Sequence, residues 1–426
     1  MRSIAVATLL AMAAETAAAG DLTFEVSIDA AGLVRKNSPV LLELRAGKEI
    51  PAETAAKLPE RLAATLRGPV DGAGGPRDTE IPAQAAVERD DKGALRGVTV
   101  GWIEKSLEAA EKRRYRLTLA EAPGERAIES FRIVDGEGFR DLLRGETPVS
   151  RHMIALDLGH ARREETYKPY LHISGFHGEG FITKGPGGKY THHRGVFLGW
   201  NKTTAEGKTW DFWHCPNVHQ RHSRFLADRE ALGPVFGRVA SLTDWVAEPV
   251  GKSVGRDRRE ITAWWQPPGQ LLVDLDVAVE TLAGDMHLDG DPQHAGLQFR
   301  AAQEVAEREK ETVYVLSEGA VQEKNDVVTH CAWAACLFKI QGKPYAVMHM
   351  SHPADSAGTV YSTRAYGRFG AFAPHDVKPD RPLRLRYRLL ILDTDKHPDV
   401  SRGRFQRKYE DYARPMVASV AGTGGR

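Results

Sequence analysis

Leu271-Leu272-Val273-Asp274-Leu275-Asp276-Val277-Ala278-Val279 places an apolar side chain at every odd position and both aspartates at even ones. Successive side chains on a strand point to opposite faces, so this segment reads as a strand with one face buried. Leu385-Arg386-Tyr387-Arg388-Leu389 repeats the pattern with arginines on the polar face. Long alternating strands without helices between them imply a large antiparallel sheet system, starting near Gly136. Upstream, the alternating segments are shorter: Leu22 to Ile28, Val40 to Leu44 and Tyr115 to Leu119, with Gly/Pro-rich turns such as Asp71 to Pro76. They predict a small β-sandwich over residues 21–135, followed by a large one over 136–415 and a flexible tail over 416–426. Glu104 to Arg114 is compatible with a short helix or a polar loop. Ser401 to Tyr412 is the one convincing helix, with Tyr409 and Tyr412 placed to pack on the sandwich edge. The fold class is all-β.

Lys+Arg total 58 against 57 for Asp+Glu, and no long basic run occurs, which argues against nucleic acid or an anionic membrane as partner. Met1-Arg2, the apolar run Ile4 to Ala14 and the small residues Ala17-Ala18-Ala19 read as a secretory signal peptide over residues 1–20. The expected location is therefore secreted or periplasmic. No other segment reaches the length of a membrane span. Cys215, Cys331 and Cys336 are an odd number without a C-x-x-C pair, so neither a disulfide framework nor a zinc site of that type is expected.

Nine of the 16 histidines fall between His152 and His222. Histidine titrates closest to neutral pH, so this excess points to proton transfer or metal ligation. Tyr190-Thr191-His192-His193-Arg194-Gly195 lies inside the window. Adjacent strand residues face opposite ways, but Gly185, Gly187, Gly188 and Gly195 suggest a loop that lets both His192 and His193 reach one site. Asp211, between Trp210 and Phe212-Trp213, should be partly desolvated, which raises a carboxyl pKa and suits a general acid or base. Orienting a histidine is its alternative role. His214, His219 and His222 with Asp211 could hold a divalent metal, but no H-x-H or H-E-x-x-H motif is present, so a metal is not favoured. Trp200, Trp213 and Trp333 offer flat faces of the kind that stack on sugars. Arg300 and Arg364 interrupt apolar strands, and each needs a carboxylate from the protein or the substrate, the latter implying a uronic or keto acid sugar.

Taken together, Pro169-Tyr170-Leu171-His172, Tyr190 to Gly195, Trp210-Asp211-Phe212-Trp213, His294 to Arg300, Ala332-Trp333, His352-Pro353 and Arg364-Ala365-Tyr366-Gly367 resemble the signature of the PmoA-like proteins. These are secreted bacterial proteins of largely undefined activity, common in polysaccharide degraders. The resemblance spans roughly residues 136 to 393, with departures at Lys189-Tyr190-Thr191 and Thr363. It implies a large sandwich similar to that of galactose mutarotase. A methane-oxidising membrane subunit is excluded, because the chain lacks the apolar spans.

These readings converge on a secreted carbohydrate-active enzyme using acid/base chemistry, by epimerisation, elimination or hydrolysis. A non-catalytic carbohydrate-binding protein and a metal-dependent enzyme at the same cleft are the alternatives. His192, His193, Asp211 and His294 are the expected catalytic residues. Arg194, Trp200, Trp213, Arg300, Trp333, His352, Arg364 and Tyr366 are the expected contacts to a carbohydrate ligand. The histidines and arginines among them, with Asp211, are expected to converge on one cleft.

Overall fold

The computed structural model describes residues 21–69, 79–90, 92–122, 129–159, 161 and 163–420. The signal-peptide segment, the 71–76 turn and residues 421–426 lie outside them. Within them the protein is an all-β fold built from antiparallel sheets, with the short helix Arg402–Ala413 after the last long strand. Ser401 caps that helix by accepting from the Arg404 backbone N–H.

The first seven-stranded sheet is built from residues 22–121 plus Val417–Val420. It curls so that its end strands Arg35–Arg45 and Val417–Val420 come together around Val26, Val40, Val100, Trp102 and Leu117. Two expectations are corrected here. Val417–Val420 is not a loose tail: it pairs with Leu22–Asp29, with Met416 buried beside it, because the edge of the curled sheet offers free backbone groups. The division between the two sheet systems also falls earlier than residue 135. Phe131–Gly136 hydrogen-bonds to Phe139–Arg144 in the large sandwich, where Phe131 is wholly buried. Residues 104–114 form neither helix nor long loop, but the facing ends of Leu95–Leu107 and Lys112–Glu121.

The large sandwich packs a ten-stranded sheet against a nine-stranded one. In Gln270–Thr281 the odd residues from Leu271 to Val279 all enter the core between them. On the other face Asp274 receives the Arg388 guanidinium through two hydrogen bonds, 2.5 and 2.8 Å, and Asp276 pairs with Arg384. Leu272 is buried on that same outer face, under a second apolar layer with Trp264, Trp333, Met348 and Leu390. Phe405 and Tyr412 of the helix, and Ala86 of the small sheet, cover the layer. The small sheet is tied down there by Gln84, whose Oε1 accepts from the Val235 and Phe236 N–H groups. Helix and small sheet thus occupy the outer face of the nine-stranded sheet, and the outer face of the ten-stranded sheet is built differently.

On that second face, parity decides which side chains emerge. Val196, Leu198 and Trp200 point into the core and Phe197 points out to Tyr170 and Trp213. In the neighbouring strand Ala295–Arg300, Ala295, Leu297 and Phe299 are core, leaving Gly296, Gln298 and Arg300 outward. Gly296 has φ +79°, and a Cβ there would lie 2.0 Å from the Ala371 carbonyl oxygen, so only glycine lets these strands approach.

Two core histidines set a pH limit on this fold. Burial pushes His152 down to about 3, helped by the nearby Arg259 charge, and burial likewise pushes His349 to about 3. Both are neutral when folded, whereas in the unfolded chain they protonate near pH 6.5. Stability is therefore full above pH 6.5 and is lost as pH falls toward 3, at about 1.4 kcal/mol per unit per histidine. At pH 5 the pair weighs about 4 kcal/mol. Thermal unfolding followed from pH 7 to pH 5 should show a clear fall in Tm, and a flat profile would contradict these environments.

Candidate metal centre

Three loops folded over the outer face of the ten-stranded sheet bring His192, His214 and His294 together. The glycine-rich loop before Val196–Trp200 closes with Tyr190 at φ +57°, and the His193 N–H donates to the Tyr190 carbonyl at 3.0 Å. That turn breaks strand alternation, so His192 and His193 lie on the same side, their ring centres 4.2 Å apart. After Lys208–Trp210 the chain folds across Trp200, and the Asp211 carboxylate accepts from the backbone N–H of Trp213 and His214. His294 ends a turn in which its N–H donates to the Asp291 carbonyl.

One ring nitrogen from each of His192, His214 and His294 lies within 4.8 Å of the others. Asp211 Oδ2 sits 2.8 Å from His214 Nδ1, and Asp291 Oδ1 sits 2.9 Å from His294 Nδ1. A carboxylate beside Nδ1 favours the tautomer with the proton there and the Nε2 lone pair turned away, the arrangement that supports imidazole as a metal ligand. His192 Nε2 is buried without a partner. Burial, then the charges of Lys168 and the other two histidines, push His192 down to about 3, so it too offers a lone pair. Zinc bound at about 2.0–2.1 Å in tetrahedral geometry needs donors about 3.4 Å apart, within reach of small side-chain rotations.

The aromatic bracket around Asp211 acts in part as expected. Burial raises its pKa, but the hydrogen bonds from the His214 ring and from the His214 and Trp213 N–H groups outweigh it, and the carboxyl lies below the usual range. Asp211 is thus a positioning group for His214, not a poised acid. Asp291 is held down in the same way by His294. It was missed in sequence, although Asp211-x-x-His214 and Asp291-x-x-His294 repeat one spacing that could have revealed it.

Beneath the triad, His193 has both ring nitrogens buried and unpartnered. Burial, then the neighbouring His192 and Arg368, hold it well below its ordinary pKa. Tyr366 stacks on it at 6.0 Å, and Trp213 closes the floor edge-on to His193 and His294. Lys168 and Lys184, which the sequence did not single out, are almost wholly buried here. Lys168 donates to the Trp213 carbonyl and Lys184 to the carbonyls of Gly185, Gly187 and His193. Burial pushes them down to about 7 and about 8.

Several expected residues lie elsewhere. Trp200 points into the core against Trp245, and Trp213 is fully buried, so neither presents a free face to a ligand. Trp333 lies on the far sheet beneath the helix, where its Nε1 donates to Gln406. His352 is also on that side, edge-on to Tyr412. Arg364 shares the site's face but is paired with Asp326. The three-histidine set read as His214, His219 and His222 does not form. His219 bonds Glu248 and His222 packs on Phe225, because the strand Val218–Phe225 begins only after the His214 turn. The eight-residue convergence therefore holds for His192, His193, Asp211 and His294, with Arg300 beneath His193, and fails for His352.

Residues 140–406 match DUF6807, described as a family of unknown function. No curated protein matches the chain. Among solved structures, an α-mannosidase from Enterococcus faecalis V583 is 9% identical, with a TM-score of 0.43 over 94% of this chain and 46% of that one. A glycosyl hydrolase family 38 protein from Enterococcus faecalis is also 9% identical, with a TM-score of 0.39 over 94% and 48%. The chain spans about half the length of these structures.

Proposed function

We propose, for a chain that belongs to the DUF6807 family of unknown function, that it is a carbohydrate-active enzyme working at a divalent-metal centre. His192, His214 and His294 hold the ion. The observation that carries this reading is the trio of ring nitrogens within 4.8 Å of one another, two of them backed by carboxylates. Three imidazoles leave a fourth position open, the pattern of catalytic zinc, and imidazole donors suit zinc better than magnesium or calcium. When bound, such an ion lowers the pKa of a ligated water and polarises a substrate oxygen.

The chain's own residues supply the rest. Asp211 and Asp291 fix the tautomer and aim of His214 and His294. His193, neutral and buried beside His192, forms the floor under the centre. Tyr366 and Trp213 keep its ring in place. The carbohydrate part of the reading rests on the resemblance of the sequence motifs to those of PmoA-like proteins, as an analogy of sequence.

The test is a turnover screen against neutral and uronate-containing oligosaccharides. Turnover should vanish on dialysis against a chelator and return with zinc. Activity that survives complete metal removal would overturn the metal centre, and binding of an oligosaccharide without any turnover would favour the non-catalytic alternative.

A further inference from the structure

The histidine layer rests on cations that the protein does not neutralise. Arg194 and Arg300 are fully buried and Arg368 nearly so. None of the three Arg194 guanidinium nitrogens has a hydrogen-bond partner, and its charge lies 4.9 Å from the ring centre of Tyr167. Arg300 donates through Nη1 to the carbonyls of Ala301 and Tyr366, while its Nε and Nη2 are unpartnered. Arg368 donates to the Gln298 side-chain oxygen, with Nε unpartnered. Lys168 and Lys184 reach only backbone carbonyls. Among the described residues, then, three buried guanidiniums beside one site meet no carboxylate, and two buried lysines beside them have none either.

Elsewhere this chain handles buried arginines differently. Arg35 is paired with Asp411, Arg259 with Asp257 and Arg388 with Asp274. Burying a cation without a counter-charge is costly, and buried donors in native folds nearly all find acceptors. Among the described residues the exception is confined to the layer under His192 and His193. A divalent ion held by neutral imidazoles would add two positive charges, which Asp211 and Asp291 would offset, leaving the three guanidiniums still uncompensated.

We infer that the missing counter-charge arrives with the ligand: the centre takes a sugar bearing an oxyanion, either a carboxylate, as in a uronate, or a sulfate ester. This deepens the function proposed above and rests on the histidine cluster being the reactive centre. Arg194, Arg300 and Arg368 act through the positive field they set under the histidines, and an oxyanion at the centre is attracted by that field and by the ion together. Anion and metal should therefore bind cooperatively, each raising the affinity of the other by the same factor.

The experiment is titration calorimetry of the full chain, zinc-loaded and metal-free, with D-galacturonate, inorganic sulfate and D-galactose. The two anions should bind the zinc-loaded protein at least about tenfold more tightly than galactose, and more weakly as salt is raised. Saturating anion should in turn raise zinc affinity about tenfold or more, while galactose leaves it unchanged. Galacturonate alone binding points to a carboxylate, and sulfate alone to a sulfate ester; either supports the inference. Folded Arg368→Gln protein should lose the preference for anions while still binding zinc. If that variant fails to fold, the comparison of anions with galactose on the unaltered protein still decides. Anion binding without any zinc binding would support this inference and overturn the metal centre. Zinc binding with no preference for anions over galactose would overturn this inference and leave the metal centre standing.

Discussion

Replacing Asp257 by alanine is expected to destabilise the large sandwich by about 3–5 kcal/mol, the usual cost of breaking a buried ion pair by removing one partner. Asp257 is wholly buried between the two sheets. It receives Arg259 through Nε at 2.6 Å and Nη2 at 2.9 Å, and the Trp245 Nε1–H at 2.6 Å. Alanine would leave the Arg259 charge with Gln220 and the Pro169 carbonyl alone, and would orphan the indole N–H. Asn in place of Asp keeps the shape and one acceptor but not the charge, so it should fall between wild type and alanine. Chemical denaturation reads the difference, and an Asp257→Ala protein of wild-type stability would refute the pairing.

Removing His294 should weaken zinc binding by more than the roughly 10–100-fold that loss of a supporting carboxylate gives, and Asp291→Asn should fall within that smaller range. The order follows from the geometry: His294 supplies a ligand atom, whereas Asp291 only fixes which nitrogen carries the proton. His214→Ala and Asp211→Asn should behave as the matching pair. His352→Ala is the control, because that ring lies on the far sheet against Tyr412 and should leave zinc affinity unchanged. Equal effects of His294→Ala and His352→Ala would contradict the assignment.

The all-β architecture was legible because a strand with one buried face must alternate, as Leu271 to Val279 does. What alternation cannot say is which buried layer a side chain joins. Trp200 and Trp333 are both wholly buried, one between the sheets and one under the helix, and neither faces the histidines. His192 and His193 could be placed together only through the glycines of their loop, since the turn at Tyr190 cancels strand parity. Arg364 and Arg300 look alike in sequence, yet a carboxylate 38 residues upstream neutralises one and nothing comparable reaches the other. Lys168 and Lys184 carried no signal, because a lone lysine reads as surface until the fold buries it. The metal set was underrated for a physical reason: its ligands come from three loops, so no compact motif exists, and only the twice-used Asp-x-x-His spacing hints at it.

The most direct measurement is equilibrium zinc titration of the unaltered chain, coupled to X-ray absorption at the zinc edge. One zinc should bind per chain, through three imidazole nitrogens at about 2.0–2.1 Å with an oxygen in the remaining position. A chain that binds no zinc, or binds it through cysteine sulfur, would contradict the metal centre.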